Sequence, residues 1–239
     1  MIHGTRLRAL LATGLMDQLD ARDKRVLERR ADLAGADEEA SPVDPRGWWY
    51  AVPADAYEGV FEVLGLYDRF PCTLAEGADV EDMPHRRGAM PVFITPELDG
   101  WRLVFGNLDS VVGVDWDDWM GTVERLSARC GRAQMFFVDG AGGSDVWVVA
   151  EQGKIRRRYA TESDPEWIGA PLPWEELGTD GEDFDGDGTN VEGTAGAEEA
   201  CGALSVDPAE IGGGTRVRGH GWLALSAPGI GHEELGLLL

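Results

Sequence analysis

The sequence predicts an α+β fold, with a mixed or mainly antiparallel sheet, helices on one face and an extra helical segment at the N-terminus. Three observations carry this expectation. Residues 91–160 read as a hairpin, one amphipathic helix and a three-stranded meander, and there apolar pattern, turn residues and capping agree. Residues 48–64 read as a strand followed by a helix. Residues 215–226 (TRVRGHGWLALS) read as a late strand able to join the same sheet.

Taken in order, residues 1–34 form an N-terminal helical segment. Leu7, Leu11, Leu15 and Leu19 repeat every four positions, Val26 and Leu33 continue the stripe, and Gly14 with the polar DARDK run divides it into two helices. The polar connector 35–46 leads into a single α+β domain spanning 47–226. Trp48–Val52 (WWYAV) is a strand that Pro53 stops. Ala54–Leu64 is a helix with Tyr57, Val60, Phe61 and Leu64 on one face, and Gly65 suits its C-terminal cap. Residues 71–75 (PCTLA) read as a short strand and 76–90 as a loop. The Asp99-Gly100 pair favours a tight hairpin. Asp115 is placed to cap a helix whose apolar face carries Trp116, Trp119, Met120, Val123, Leu126 and Cys130. The strand 145–151 is apolar on both faces at its centre, which predicts a central position. An acidic, Gly-rich mobile loop is expected at 178–194. A helix at 198–204, a capped turn at Asp207-Pro208 and a C-terminal tail at 227–239 complete the chain. The order strand, helix, strand recurs at a spacing of about 52 residues, in 48–75 and 101–138, which hints at an internal duplication.

Composition narrows the function classes. Net charge is −23, which repels nucleic acid and anionic membranes and favours a basic protein partner. Lys24 and Lys154 are the only lysines among 21 basic residues; with abundant Ala, Gly and Asp this suggests a GC-rich bacterial genome. The cysteines Cys72, Cys130 and Cys201 are odd in number and widely spaced. A reduced, cytoplasmic protein without disulfides or zinc is therefore expected. No window reaches the ~20 apolar residues of a membrane span. The run Ala9–Met16 after Arg6 and Arg8 reads as helix rather than signal peptide, because Asp17 and Asp20 follow it without a cleavage site.

Two constellations are candidate sites. His85, Arg86 and Arg87, together with Arg156, Arg158 and His220, form a candidate anion-binding set. The plainer reading of Arg156–Arg158 is a charged edge strand paired with nearby carboxylates. Asp183, Asp185 and Asp187 with Gly188 follow the start of a calcium loop, but position 12 is Thr194 where a bidentate Glu is needed, so only weak Ca2+ binding is expected. Asp185-Gly186-Asp187-Gly188-Thr189 also spells the nucleophile box of the haloacid-dehalogenase-like phosphatases. That box follows a buried apolar strand, and Gly181-Glu182-Asp183-Phe184 is no such strand. No other catalytic motif is present.

The reading that follows is a non-catalytic acidic module that binds a basic protein, by analogy with immunity proteins and nucleic-acid mimics, and needs no cofactor. One alternative is an enzyme acting on an anionic small molecule through Arg86, Arg156 and His220. A second is a calcium-responsive module using residues 183–192.

Overall fold

A computed structural model describes residues 19, 21–34, 39–83, 88–138, 145–161, 165–175 and 196–228. In chain order the elements are α1 (Ala21–Ala34), β1 (Trp48–Pro53), α2 (Glu58–Val63), β2 (Tyr67–Cys72), α3 (Leu74–Ala78), β3 (Pro91–Ile94), β4 (Glu97–Leu98), β5 (Trp101–Gly106), α4 (Asp109–Val112), α5 (Trp116–Cys130), β6 (Arg132–Val138), β7 (Asp145–Glu151), β8 (Lys154–Thr161), β9 (Pro165–Ile168), α6 (Ala197–Leu204), β10 (Val217–Arg218) and β11 (Gly221–Leu225). Two 3-10 turns, Val80–Asp82 and Pro208–Glu210, lie among them.

The strands form one sheet of order β2-β11-β3-β5-β1-β6-β7-β8-β9, with the short ribbon β4–β10 to the side, and every ladder is antiparallel. The α+β class is thus as the sequence predicts. The late strand joins the sheet between β2 and β3, and β7 is interior. Antiparallel pairing throughout makes β1 run parallel to β2, and β5 parallel to β6. The chain therefore contains two β-α-β units, β1-α2-β2 and β5-α5-β6, each passing over intervening strands. Their first strands pair with each other, Tyr50 opposite Val104 and Val52 opposite Arg102. The 52-residue spacing in the sequence is matched by this shared topology.

Both faces of the sheet are covered. Helices α2 and α5 seal one face as expected, burying Val60, Phe61, Trp119, Val123 and Leu126 against Tyr50, Val52, Ile94, Met135 and Val148. The backbones approach so closely that a Cβ at Gly59 would lie 2.8 Å from Arg129 Cβ and Cys130 Sγ. The opposite face, which the sequence left unassigned, is covered by α3, α6 and Val43. Leu74, Val80, Ala200, Cys201 and Leu204 pack there on Trp49, Phe93, Phe105, Phe136 and Trp147.

Local signals decide most boundaries. Gly65 takes φ 62° beyond α2, and Leu66 N–H donates to Phe61 O at 2.9 Å, the six-to-one bond of a Schellman end. The 71–75 strand expectation is corrected. Strand β2 ends at Cys72, and Thr73-Leu74-Ala75-Glu76 is a capping box: Glu76 N–H donates to Thr73 Oγ1 at 3.1 Å and Thr73 N–H to Glu76 Oε2 at 2.7 Å. Part of the 76–90 loop is accordingly helical. Asp115 does occupy the cap position of α5, but its side chain accepts no capping bond. The helical expectation for 1–18, the His85–Arg87 cluster, the acidic loop 178–194 and the tail 229–239 lie outside the described residues.

The Arg156–Arg158 run also departs from expectation. Strand β9 pairs with β8, so the run is not on an edge. Arg157, opposite Val149, is fully buried and forms a fork-to-fork pair with the fully buried Glu175, Nε to Oε1 at 3.1 Å and Nη2 to Oε2 at 2.6 Å. Glu175 also accepts from Leu172 N–H at 2.6 Å, and Arg157 donates to Gly169 O. This pair pins residues 169–175 under the sheet, beside Trp174 and Trp147. Removing one partner leaves a buried charge uncompensated, so Glu175→Ala should cost about 3–5 kcal/mol, whereas the double change Arg157→Met, Glu175→Leu should recover most of that loss. Urea unfolding of the three proteins checks this; equal losses in the single and double variants would contradict the assigned pairing.

Candidate functional site

At one end of the sheet the start of β1, the exit of β5 and the exit of β6 come together around a cleft of about 310 Å3. Its lining includes Arg46, Trp48, Glu81, Asn107, Asp109 and Phe137. The wall is an aromatic stack. Phe137 lies on Trp48 with centroids 4.4 Å apart, and Trp48 lies on Trp119 at 4.4 Å. Trp48 is also 6.2 Å from Trp116, so the stack runs out of the cleft onto the surface of α5.

The polar side is built from acids. Among the described residues Arg46 is the single cation lining the cleft, and both of its terminal nitrogens donate to Asp82, at 2.9 Å each. Glu81 receives from Arg46 only the main-chain N–H, at 3.2 Å. Burial, reinforced by the neighbouring charges of Asp44 and Asp82 and opposed by the Arg46 bond and charge, pushes the Glu81 carboxyl up to about 7. A carboxyl held near neutrality in a cleft marks a candidate site.

Beside the cleft, residues 107–118 present an apolar and acidic platform. Val114 is 81% exposed and Trp116 36%, the two largest apolar exposures in this part of the surface. Asp109, Asp115, Asp117 and Asp118 surround them, all exposed, with no Lys or Arg in the segment. Arg158, from β8, reaches over the Trp116 ring at 5.4 Å.

The residues singled out in the sequence do not converge. Arg158 borders the platform and Arg156 pairs with Glu151 at 3.7 Å. His220 precedes β11, and β11 lies six strand steps from β8, roughly 29 Å at about 4.8 Å per step. The described members of the anion-binding set, Arg156, Arg158 and His220, therefore form no single site. His220 sits edge-on to Trp222 at 4.7 Å, its main-chain oxygen accepts from Arg102 Nη1 at 2.9 Å, and its Nε2 is buried without a partner. Arg102 in turn lies 4.2 Å over Tyr57, and Tyr57 Oη accepts from Trp222 Nε1 at 3.3 Å. Burial first, then Arg30 and Arg102, pulls His220 down to about 4, so it is uncharged at neutral pH. Asp183, Asp185 and Asp187 fall outside the described residues, and among the described residues no group of acids, histidines or thiols is arranged to hold a metal. The three cysteines are buried and in no disulfide; burial pushes Cys130 up to about 11 and Cys201 up to about 12, which leaves both of those thiols protonated. No helix among the described residues is long and apolar enough to cross a membrane.

Sequence reasoning missed the cleft, because its walls come from four separated segments. Trp48 and Trp116, both legible as large apolar residues at element starts, were the available signal. No family model, curated protein or solved structure matches the chain.

Two ionisations set opposite pH limits on stability. Unfolded His220, near 6.5, takes up a proton between pH 6.5 and about 4 that the folded form refuses, so stability falls as pH drops through that window. Folded Glu81 keeps its proton between 4.5 and about 7 where the unfolded carboxyl loses it, so stability falls as pH rises through that window. Urea midpoints followed against pH should show His220→Asn flattening the acid limb and Glu81→Gln flattening the neutral limb. Profiles identical to the parent protein in both variants would contradict these environments.

Proposed function

We propose that this chain is a non-catalytic module that binds a basic protein, and that it does so through the platform 107–118. The observation that supports this most is the pairing of an exposed Val114 and Trp116 with four exposed aspartates on a chain of net charge −23. Trp leads the residues that carry hot-spot energy at interfaces, and here an exposed Trp, with Arg158 over its ring, lies among exposed aspartates. The acidic field would speed encounter with a cationic partner and repel nucleic acid. An enzyme built on Arg156 and His220 has lost its geometric support, since the two lie at opposite sides of the sheet.

Binding through this surface gives a defined outcome. A partner retained by the parent protein and lost by the double variant Val114→Ser, Trp116→Ser should be a basic protein. Its affinity should fall at least about tenfold in Trp116→Ala, the scale of a hot-spot residue, and should weaken steeply with salt. Calorimetry with the purified partner at two salt concentrations measures both. A neutral or acidic partner, or one held equally by the double variant, would overturn the proposal.

A further inference from the structure

We infer that the cleft between Glu81 and Asp109 is a receptor for one arginine side chain of the basic partner, its guanidinium held by the two carboxylates against the Phe137 and Trp48 rings. This rests on the reading of the chain as a module for a basic protein and names the group that the partner inserts.

Charge complementarity carries the assignment. Of the titratable side chains lining the cleft among the described residues, Glu81 and Asp109 are acids and Arg46 is the single base. The Arg46 guanidinium makes its hydrogen bonds to Asp82, fork-to-fork, and acts on Glu81 only through its nearby charge, which burial outweighs. Glu81 is therefore a half-buried carboxyl that, among the described residues, accepts one hydrogen bond, from a main-chain N–H. A half-buried acid without a side-chain counter-ion is costly to ionise, and an entering cation supplies the missing charge.

Shape and chemistry select guanidinium. A cleft of about 310 Å3 is at the small end of ligand pockets and suits a single side chain. Phe137 forms the end of the described aromatic stack, with Trp48 on one side of it. A planar guanidinium can lie on a ring while its edge forks to a carboxylate, which a compact ammonium cannot do. The chain uses the same contact within its own packing, with Arg69 at 3.4 Å over Phe61 while bonded to Glu58 at 2.7 Å. The distance from cleft to platform is short, since Trp48 touches both, so one partner surface can fill the first and cover the second.

Binding is linked to protons. The charged groups facing Glu81 are Arg46, Asp44 and Asp82, with Asp109 on the same cleft. A guanidinium binds the ionised carboxylate, so affinity should rise as pH rises through neutrality, and binding below that range should release a proton.

The test uses the full chain and N-acetyl-L-argininamide, a probe with one guanidinium and no other charge. Titration followed by tryptophan fluorescence and NMR should give saturable millimolar binding, tightening at least about threefold between about pH 6 and about pH 8. Glu81→Gln and Asp109→Asn should each weaken it by about fivefold or more, and Glu81→Gln should remove the pH dependence. The corresponding lysine amide should bind several times more weakly. Circular dichroism establishes that the variants are folded. No saturable binding, binding unchanged by both substitutions, or equal binding of the lysine amide would each overturn the assignment. A partner whose affinity falls with Trp116→Ala but not with Glu81→Gln would overturn the cleft assignment while leaving the binding-module reading intact.

Discussion

The structure depends on strand β1 being buried on both faces and paired on both sides. Tyr50 and Val52 point into the core under α2 and α5, and Trp49 and Ala51 point into the core under α3 and α6. None of the four is more than 3% exposed. Each large apolar side chain removed from water in this way contributes about 1.5–3 kcal/mol. Strand β5 pairs with Tyr50–Pro53 and β6 with Trp48–Ala51, so the centre of β1 is paired on both sides. A strand in this position must read as a continuous apolar run, and WWYAV does. The two β-α-β units meet here, because β1 opens the first and lies between the strands of the second. Their helices then meet at Gly59, where no side chain would fit.

The electrostatic design follows from the same economy of space. An excess of 23 negative charges works against compaction. Arginines are distributed as local partners: Arg46 with Asp82, Arg69 with Glu58, Arg216 with Asp99 and Arg218 with Glu97. Of these, the exposed Arg46–Asp82 and Arg216–Asp99 pairs each contribute little stability. Their larger effect is to leave particular surfaces unneutralised. Arginine also stacks on rings as Lys does less well, and Arg30, Arg69, Arg102, Arg132 and Arg158 all do so. The near absence of lysine fits a molecule whose cations serve as packing elements. Segment 107–118 contains no basic residue of its own, and its aspartates face solvent beside Arg158, which lies over the Trp116 ring.

Much of the fold was legible because its signals are local. Asp99-Gly100 and Gln152-Gly153 turn back on themselves with positive φ at both residues, and α5 keeps its apolar stripe over its whole length. Strand β7 revealed its central position through Val148 and Trp147 on opposite faces. Errors arose where two local signals competed. PCTLA is apolar enough for a strand, yet Thr73 and Glu76 sit at capping-box spacing, and the reciprocal bonds prevailed. Strand β9, PEWI, carries a proline and a glutamate and owes its existence to the β8 edge it covers. Strand order was not legible, since β11 enters between β2 and β3 from more than a hundred residues away. The candidate anion residues that the structure describes share basic or titratable side chains, but Arg156 and Arg158 lie on β8 and His220 beside β11. Their separation is a property of the sheet, not of their neighbours. Arg157, outside the candidate set, is the most buried of the Arg156–Arg158 run.

The cleft has a topological origin. The start of β1, the end of β5 and the end of β6 lie at the same end of the sheet, because β1 runs against both neighbours. In an antiparallel meander these ends would be closed by short hairpins. Here β5 must instead cross over β1 to reach β6, so its chain leaves the sheet plane at Gly106. That residue has φ 135°, and a Cβ there would meet Pro91 O at 2.8 Å; Leu108 N–H then closes a tight turn on Gly106 O at 2.6 Å. The departing chain forms α4 and the 107–118 platform on one side, while the incoming 43–47 segment and the Val80–Asp82 turn stand on the other. Between them the edge of Trp48 has no strand above it. A crossover that divides two packed units opens a crevice where their chains diverge, which is where ligand sites in α/β sheets also form. Glu81, Asp109 and Phe137 are brought together by that divergence, and the exposed Trp116 begins the helix that the crossover requires.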